Sequence, residues 1–326
     1  MNMILQKTRV VGVDISLERT TYAIVDIRGN IIAIDSFPTL ECATANEFVA
    51  KLCEAIVMIV EANGGYETIR SVGVSSPSAS FLTGSIENAA NLPWKGVIPL
   101  AALMRDRLGL AVGVANDAHA AAMGEKVYGT AHGMNDFVVV SIGMGLGSCF
   151  FSNGRVHLGA DGYAGEIGHT CVVVDGRQCG CGHKGCLETY VNGKGIVQTA
   201  RELMEESDKP SLMRSLDNLT ARTIKECCDQ GDELAIEVYR RTGHILGMGL
   251  ANYASIVNPE AIILTGGVSK AGEWLLGPVH EVFERHVFPN MKGKVKLLIS
   301  MFDNRERDVL GASAVAWDVM EYSLFK

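Results

Sequence analysis

No apolar run in this 326-residue sequence reaches the roughly 20 residues that a membrane-spanning helix requires. The opening MNMILQKTR lacks the length and the small-residue cleavage site of a secretory leader, so a cytoplasmic protein is expected. No cluster of lysine and arginine extends beyond a few residues, and the net charge is −8. A nucleic-acid backbone needs a concentrated basic surface, which argues against nucleic-acid binding as the main activity. Low-complexity stretches are also missing, so any two domains are expected to share a tight hinge. The most local absence is glycine in the turn of VVGVDISLERTTYAIVDIRGN. Two strand-like runs, Val10 to Asp14 and Thr21 to Asp26, flank a turn of Ile15 to Thr20 that holds Glu18 and Arg19 instead.

What is present describes an ordinary globular chain. Apolar residues make up 48% and charged residues 20%, which excludes a disordered chain, and the length suits two domains. A helical run from Ala45 to Glu61 stops at Asn63-Gly64-Gly65, and strand-like SVGVSS follows. A helix over residues 100–110, a strand over 111–116 and an alanine-rich helix from Asp117 come next. This alternation predicts an α/β fold. DFVVVSIGMGLGSCFFSNGRVHLGA then repeats the opening grammar of two strands round a turn, an internal echo that predicts two lobes of related topology. A long helix over 232–257 stops at Asn258-Pro259, strand AIIL meets Thr265-Gly266-Gly267, and a small-residue helix closes the chain.

Nine cysteines would suggest disulfides only in a secreted chain, and here four of them fall between residues 171 and 186, a clustering that points to metal or local chemistry instead. In HTCVVVDGRQCGCGHKGC, His169, Cys179, Cys181 and Cys186 supply one imidazole and three thiols on short loops, the donor set of a closed structural zinc site. Cys171 and His183 are alternative ligands; reduced thiols without metal are the blander reading, against which the density of donors favours zinc. Just upstream, in GYAGEIGH, Glu166 and His169 stand three residues apart and share a face if the segment turns helically. A metal on one nitrogen of His169 would fix its tautomer and leave the other for a ligand. Asn116-Asp117 ends a strand where open α/β folds bind ligands; Asp117 is either the cap of the next helix or a general base. Glycine turns at Gly143-Met144-Gly145 and Gly266-Gly267 let backbone amides approach phosphate oxygens.

Taken in order, SIENAANLPWKGVIPL, VANDAHAAAMGE, GADGYAGEIGH, CGCGHKGCLETY, NPEAIILTGG and DVLGASAVA resemble the ROK family of sugar kinases and sugar-sensing repressors, especially its bacterial glucokinase-like members. The pairing of GE-x-GH with C-x-C-G-x-x-G-C carries most of the specificity. The resemblance implies the two-lobed actin-like ATPase fold, built from duplicated ribonuclease-H-like units. Residues 1–115 would form the N-terminal lobe, completed by a helix at 308–326. Residues 116–307 would form the other lobe, with the zinc loop. The resemblance further implies that Asn116 and Asp117 bind the sugar, Asp117 acting as the base on the 6-hydroxyl. Glu166, His169 and Glu188 would hold other hydroxyls, with Asn91 and Ser75-Ser76 flanking them. Mg-ATP would place its phosphates against the two hairpins, near Asp14, Gly143 and Gly145, and its adenosine near Gly266 and Gly267. A homodimer or homotetramer is implied as well.

The family's first phosphate hairpin reads Asp-x-Gly-Gly-Thr followed by Lys or Asn. Here Asp14 is kept, but Ser16, Leu17, Glu18 and Arg19 occupy the remaining positions, and Gly143-Met144-Gly145 replaces a Gly-Thr-Gly. Glu18 puts negative charge beside an anionic ligand, with Arg19 expected to offset it. Two functions therefore compete: a hexose kinase, glucokinase-like, and a sugar-binding regulator that transfers phosphate poorly. The family's repressors carry an N-terminal DNA-binding domain, for which nine residues ahead of the hairpin are too few, so direct DNA contact is not expected.

Overall fold

The structure, a computed structural model, describes residues 7–89, 92–302 and 304–319. These residues divide into two compact units, one formed by 7–89, 92–132, 159–162, 301–302 and 304–319, the other by 133–158 and 163–300.

In the first unit, strands β1 (Arg9–Ile15), β2 (Arg19–Asp26), β3 (Ile31–Pro38) and β4 (Ile69–Ser75) build most of a five-stranded sheet. Its order is β3-β2-β1-β4-β8. Helix α1 (Ala45–Ala62) lies between β3 and β4 in sequence and opens with a capping box, Thr44 on the Glu47 amide and Glu47 on the Thr44 amide. A small sheet of β5 (Ala79–Ser80), β6 (Ser85–Glu87) and β7 (Val97–Ile98) precedes α2 (Leu100–Leu108), which Gly109 terminates at φ 65°. Strand β8 (Ala111–Ala115) and helix α3 (Asp117–Val127) follow, and α9 (Asn304–Asp318) returns from the end of the chain.

Glycine placement explains where α9 sits. The sequences VVGVD, SVGVS and AVGVA align Gly12, Gly73 and Gly113 in register across β1, β4 and β8. A Cβ at Gly73 would lie 2.0 Å from the Ala312 carbonyl oxygen, and one at Gly12 would lie 2.4 Å from that of Val309. The row of missing side chains is thus the trough in which α9 lies. The opposite face carries Val11, Val13, Val72 and Val74 into a core with Leu52 and Ile56 of α1 and Met104 of α2.

The second unit repeats the plan. Strands β9 (Phe137–Ile142), β10 (Leu146–Ser152), β11 (Arg155–Val156), β12 (Ala261–Thr265) and β13 (Lys296–Ile299) run in the order β11-β10-β9-β12-β13. As in the first sheet, the leading hairpin is antiparallel and the strands on its other side are parallel. Asn153 (φ 52°) and Gly154 (φ 75°) close β10 to β11, the left-handed pair a two-residue hairpin requires. Helices α4 (Glu188–Val191), α5 (Gly193–Glu206), α6 (Ala221–Asp229), α7 (Glu233–Val257) and α8 (Glu273–His286) complete the unit. Its core joins Val138, Val140 and Ile142 to Ile196, Leu246, Leu250 and Phe283. Asn258, at φ 49°, stops α7 before Pro259.

The first unit reaches His132, past the boundary expected after residue 115. Helix α3 is held there by α9: a Cβ at Gly311 would sit 2.7 Å from the Ala120 carbonyl oxygen, a crossing that only glycine permits. Among the described residues, no helix is long and apolar enough to cross a membrane.

Candidate active site

In the first unit, the parallel strands end side by side. Asp14 pairs in register with Ser75, and Ser75 with Ala115, the residue before Asn116-Asp117. The helix cap is Asn116, whose Oδ1 accepts the His119 amide at 2.8 Å. Capping is therefore not the work of Asp117, the first residue of α3. Asn116, expected on the sugar, retains its amide nitrogen for a ligand. Ser75 donates to Asp117 Oδ1 at 3.2 Å. Asp117 presents accessible surface, while crowding by protein thins its hydration and lifts its carboxyl to about 6; Asp308 adds to the rise, and Ser75 and Arg307 oppose it.

Asp14 is pushed further, to about 8, first by burial and then by the charges of Asp308 and Asp117. The folded chain keeps a proton there that an unfolded chain releases near pH 4. Asp14 therefore costs stability progressively as pH rises from about 4 to 8. A bound divalent cation would favour the carboxylate form. Asp308 and Arg307 come from α9 and escaped the sequence reading. Arg307 donates to Asp308 at 2.7 Å, and its Nη1 is buried without a hydrogen-bond partner. Asn91 lies outside the described residues; the Ser76 amide donates to the Ala115 carbonyl at 3.1 Å, while Ser76 Oγ donates only weakly, to the Pro77 carbonyl at 3.4 Å.

The glycine-free turn closes on itself. The Ser16 amide donates to the Arg19 carbonyl at 3.1 Å, Ser16 Oγ donates to the same oxygen at 2.8 Å, and the Arg19 amide returns to Ser16 Oγ at 3.3 Å. Ser16, Leu17, Glu18 and Arg19 all have negative φ, so this turn has no conformational need for glycine. Arg19 extends its guanidinium to Ser36 Oγ at 2.6 Å.

The second unit gathers the remaining candidates. The β9–β10 turn, Gly143 to Gly145, is held by the segment after the cysteine loop. Glu188 Oε2 accepts the Leu146 amide at 2.8 Å, Asn192 Nδ2 donates to the Met144 carbonyl at 3.0 Å, and the Gly193 amide donates to the Gly143 carbonyl at 2.9 Å. Glu188, expected on a sugar hydroxyl, is thus partly committed to the hairpin. Gly266, at φ 90°, packs so tightly on the end of β9 that a Cβ would lie 2.4 Å from the Ile142 carbonyl oxygen. This brings the Gly266-Gly267 turn beside the hairpin.

Glu166 leads into a single turn, Ile167–His169, whose Ile167 carbonyl accepts from Tyr253 Oη at 3.0 Å and Thr170 Oγ1 at 2.8 Å. Glu166 Oε2 lies 4.0 Å from His169 Nε2. The other ring nitrogen, Nδ1, lies 3.6 Å from Cys179 Sγ, and Cys181 and Cys186 have their sulfurs 3.7 Å apart. A tetrahedral zinc ion with ordinary bond lengths sets sulfurs about 3.8 Å and sulfur to nitrogen about 3.6 Å apart. The donor atoms of His169, Cys179, Cys181 and Cys186 all lie within 4.8 Å of one another, so the set fits such an ion. His183 Nδ1 is 3.7 Å from Cys181 Sγ, at the edge of the cluster, and Cys171 is not part of it.

A sequence profile of the ROK family matches residues 10–319. The chain belongs to the ROK family. It is 31% identical to a glucokinase of Halalkalibacterium halodurans over 90% of this chain and 91% of that protein. A ROK family glucokinase from Streptomyces griseus, solved with glucose and AMPPNP, superposes with a TM-score of 0.77 at 30% identity, covering 95% of this chain and 99% of that one. A xylose repressor of Caldicellulosiruptor bescii is 25% identical over 94% of this chain and 77% of its own length. The ROK fold is the actin-like α/β architecture, and the repeated strand order of the two units is its duplication.

Proposed function

We propose that this chain is an ATP-dependent hexose kinase that phosphorylates the 6-hydroxyl of glucose or a close relative. The observation that carries the reading is Asp117: a solvent-reachable carboxylate at a strand end, relieved of capping by Asn116 and poised near pH 6. Glucokinase relatives at about one-third identity along nearly the whole chain support it.

In this reading Asp117 takes the proton from the 6-hydroxyl as its oxygen bonds to the γ-phosphorus. The bond from that phosphorus to the β,γ-bridging oxygen breaks, and ADP leaves. Little covalent chemistry falls to the protein, so alignment and charge neutralisation dominate. Ser75 holds Asp117 in place, while Glu166 and His169 Nε2 offer groups to other sugar hydroxyls. The Gly143–Gly145 hairpin and the Gly266-Gly267 turn serve the nucleotide. Magnesium, when bound, would neutralise phosphate charge, with Asp14 the residue to hold its waters. His169, Cys179, Cys181 and Cys186 would hold a structural zinc ion that fixes the imidazole.

The test is a hexose panel with Mg-ATP, including glucose, N-acetylmannosamine and 6-deoxyglucose. Glucose is expected to yield the 6-phosphate, with 6-deoxyglucose a competitive inhibitor that is never phosphorylated; phosphorylation of 6-deoxyglucose would refute the assignment of the hydroxyl. The pH profile adds a second check. The ionised form of Asp117 is the active one, so kcat/KM should fall as pH drops below about 6. Asp308→Asn removes a charge that raises this carboxyl, and the acid limb should move to lower pH. An unmoved limb would exclude Asp308 from setting the base.

One observation favours a second reading, a sugar-binding regulator that transfers phosphate weakly. The amides of Ser16 and Arg19 are spent within the first turn, and Glu18 stands exposed beside them. Sugar binding without turnover would select it.

A further inference from the structure

Resting on the kinase reading for its functional consequence, we propose that Arg177 is a positioning residue. It locks the cysteine loop to the segment that holds the second glycine hairpin, so that the metal cluster and the phosphate-binding turn tighten or loosen together.

Arg177 lies two residues before Cys179, and its side chain is only 11% exposed. Nη1 donates to the Thr189 and Gly195 carbonyls, both at 3.0 Å. Nη2 donates to Thr199 Oγ1 at 2.9 Å and to Glu202 at 2.6 Å. The guanidinium also lies 4.7 Å from the Tyr190 ring centroid, and the Arg177 amide donates to Tyr190 Oη at 2.9 Å. A planar fork that meets four acceptors over an aromatic face is a fixed joint, and lysine could not reproduce it.

Those acceptors interleave with the residues that grip the hairpin. Thr189 follows Glu188, which takes the Leu146 amide. Gly195 is the residue whose amide is capped by Asn192, and Asn192 reaches the Met144 carbonyl. On its other side, the Arg177 carbonyl accepts the Gly185 amide, next to Cys186. A metal that orders the Cys179–Cys186 loop therefore orders Arg177, and Arg177 orders the hairpin.

Hydrogen exchange across residues 143–146 tests the coupling, in zinc-loaded and zinc-stripped protein, for wild type, Arg177→Met and Arg177→Lys. Stripping zinc from wild type should raise exchange of the Leu146 segment at least tenfold. Zinc-loaded Arg177→Met should already show that raised exchange, with no further change on stripping, while strands β12 and β13 stay protected as in wild type. Arg177→Lys should recover only part of the protection. In turnover, Arg177→Met should raise KM for ATP while KM for the sugar stays within about twofold. Exchange at the hairpin unchanged by Arg177→Met, or an equal rise on stripping in wild type and variant, would overturn the proposal. The exchange readout needs no nucleotide, so it decides the clamp even if the protein proves not to phosphorylate sugars.

Discussion

Replacing Asp117 by asparagine is expected to lower kcat by about 10²- to 10⁴-fold, the usual worth of a general base, while glucose affinity stays within a few-fold of wild type. The substitution is nearly isosteric. Asparagine can still accept from Ser75, which now reaches Asp117 Oδ1 at 3.2 Å, and the cap of α3 remains with Asn116. Only proton acceptance is lost. Calorimetry with glucose and steady-state turnover with Mg-ATP separate the two effects. A kcat within about threefold of wild type would remove Asp117 from the chemistry, and a parallel collapse of glucose binding would make it a binding residue instead.

Cys186→Ser should have the second largest effect. Cys179 and Cys186 are buried, at 3% and 0% exposure, while His169 and Cys181 face outward, so the cluster is covered on one side only. Without its metal, the loop keeps the Arg177 side-chain bonds at its base and backbone contacts such as the bridges of Cys171 with Cys186 and Gln178 with Lys184, none of which draws the four donor side chains together. His169 would lose the partner of its Nδ1, and with it the fixed direction of Nε2 toward Glu166. Metal analysis should give close to one zinc per wild-type chain and far less in the variant. Glucose affinity should fall by roughly one to two orders of magnitude, in line with the cost of unfixing a metal-bound histidine. Wild-type protein purified with far less than one zinc per chain would contradict this account of the cysteines, as would a zinc-free variant that binds glucose normally.

Much of this was legible in the sequence, because its signals are local. The strand pairs, the helix stops at Asn63-Gly64 and Asn258-Pro259, and the cysteine spacing all act through neighbours. The repeated VGV of three strands was visible too, but its meaning was not. Only the register of β1, β4 and β8 shows that the glycines form one trough for α9. The same distance hid Arg307 and Asp308, which stand near the chain end and reach Asp14 and Asp117 through α9. Strand β3 was missed because its two faces carry weak contrast, with Ile32 and Ile34 exposed on an edge. Arg177 gives no signal in the sequence, since two of its four side-chain acceptors are backbone carbonyls and the other two lie more than twenty residues away. The turn after Asp14 read as a loss of glycine. In the structure it is a different closure, built on Ser16, and what it changes for a phosphate is the supply of unpaired amides and the charge of Glu18.

A working kinase requires that the altered turn still admit Mg-ATP while the retained residues hold the sugar. The most direct measurement is formation of glucose 6-phosphate and ADP by zinc-loaded wild-type protein with Mg-ATP, alongside calorimetric binding of glucose. Many turnovers per chain, with one ADP released for each sugar phosphate, is the expected result. Glucose bound by calorimetry with no sugar phosphate formed would contradict it and leave a sugar sensor in its place.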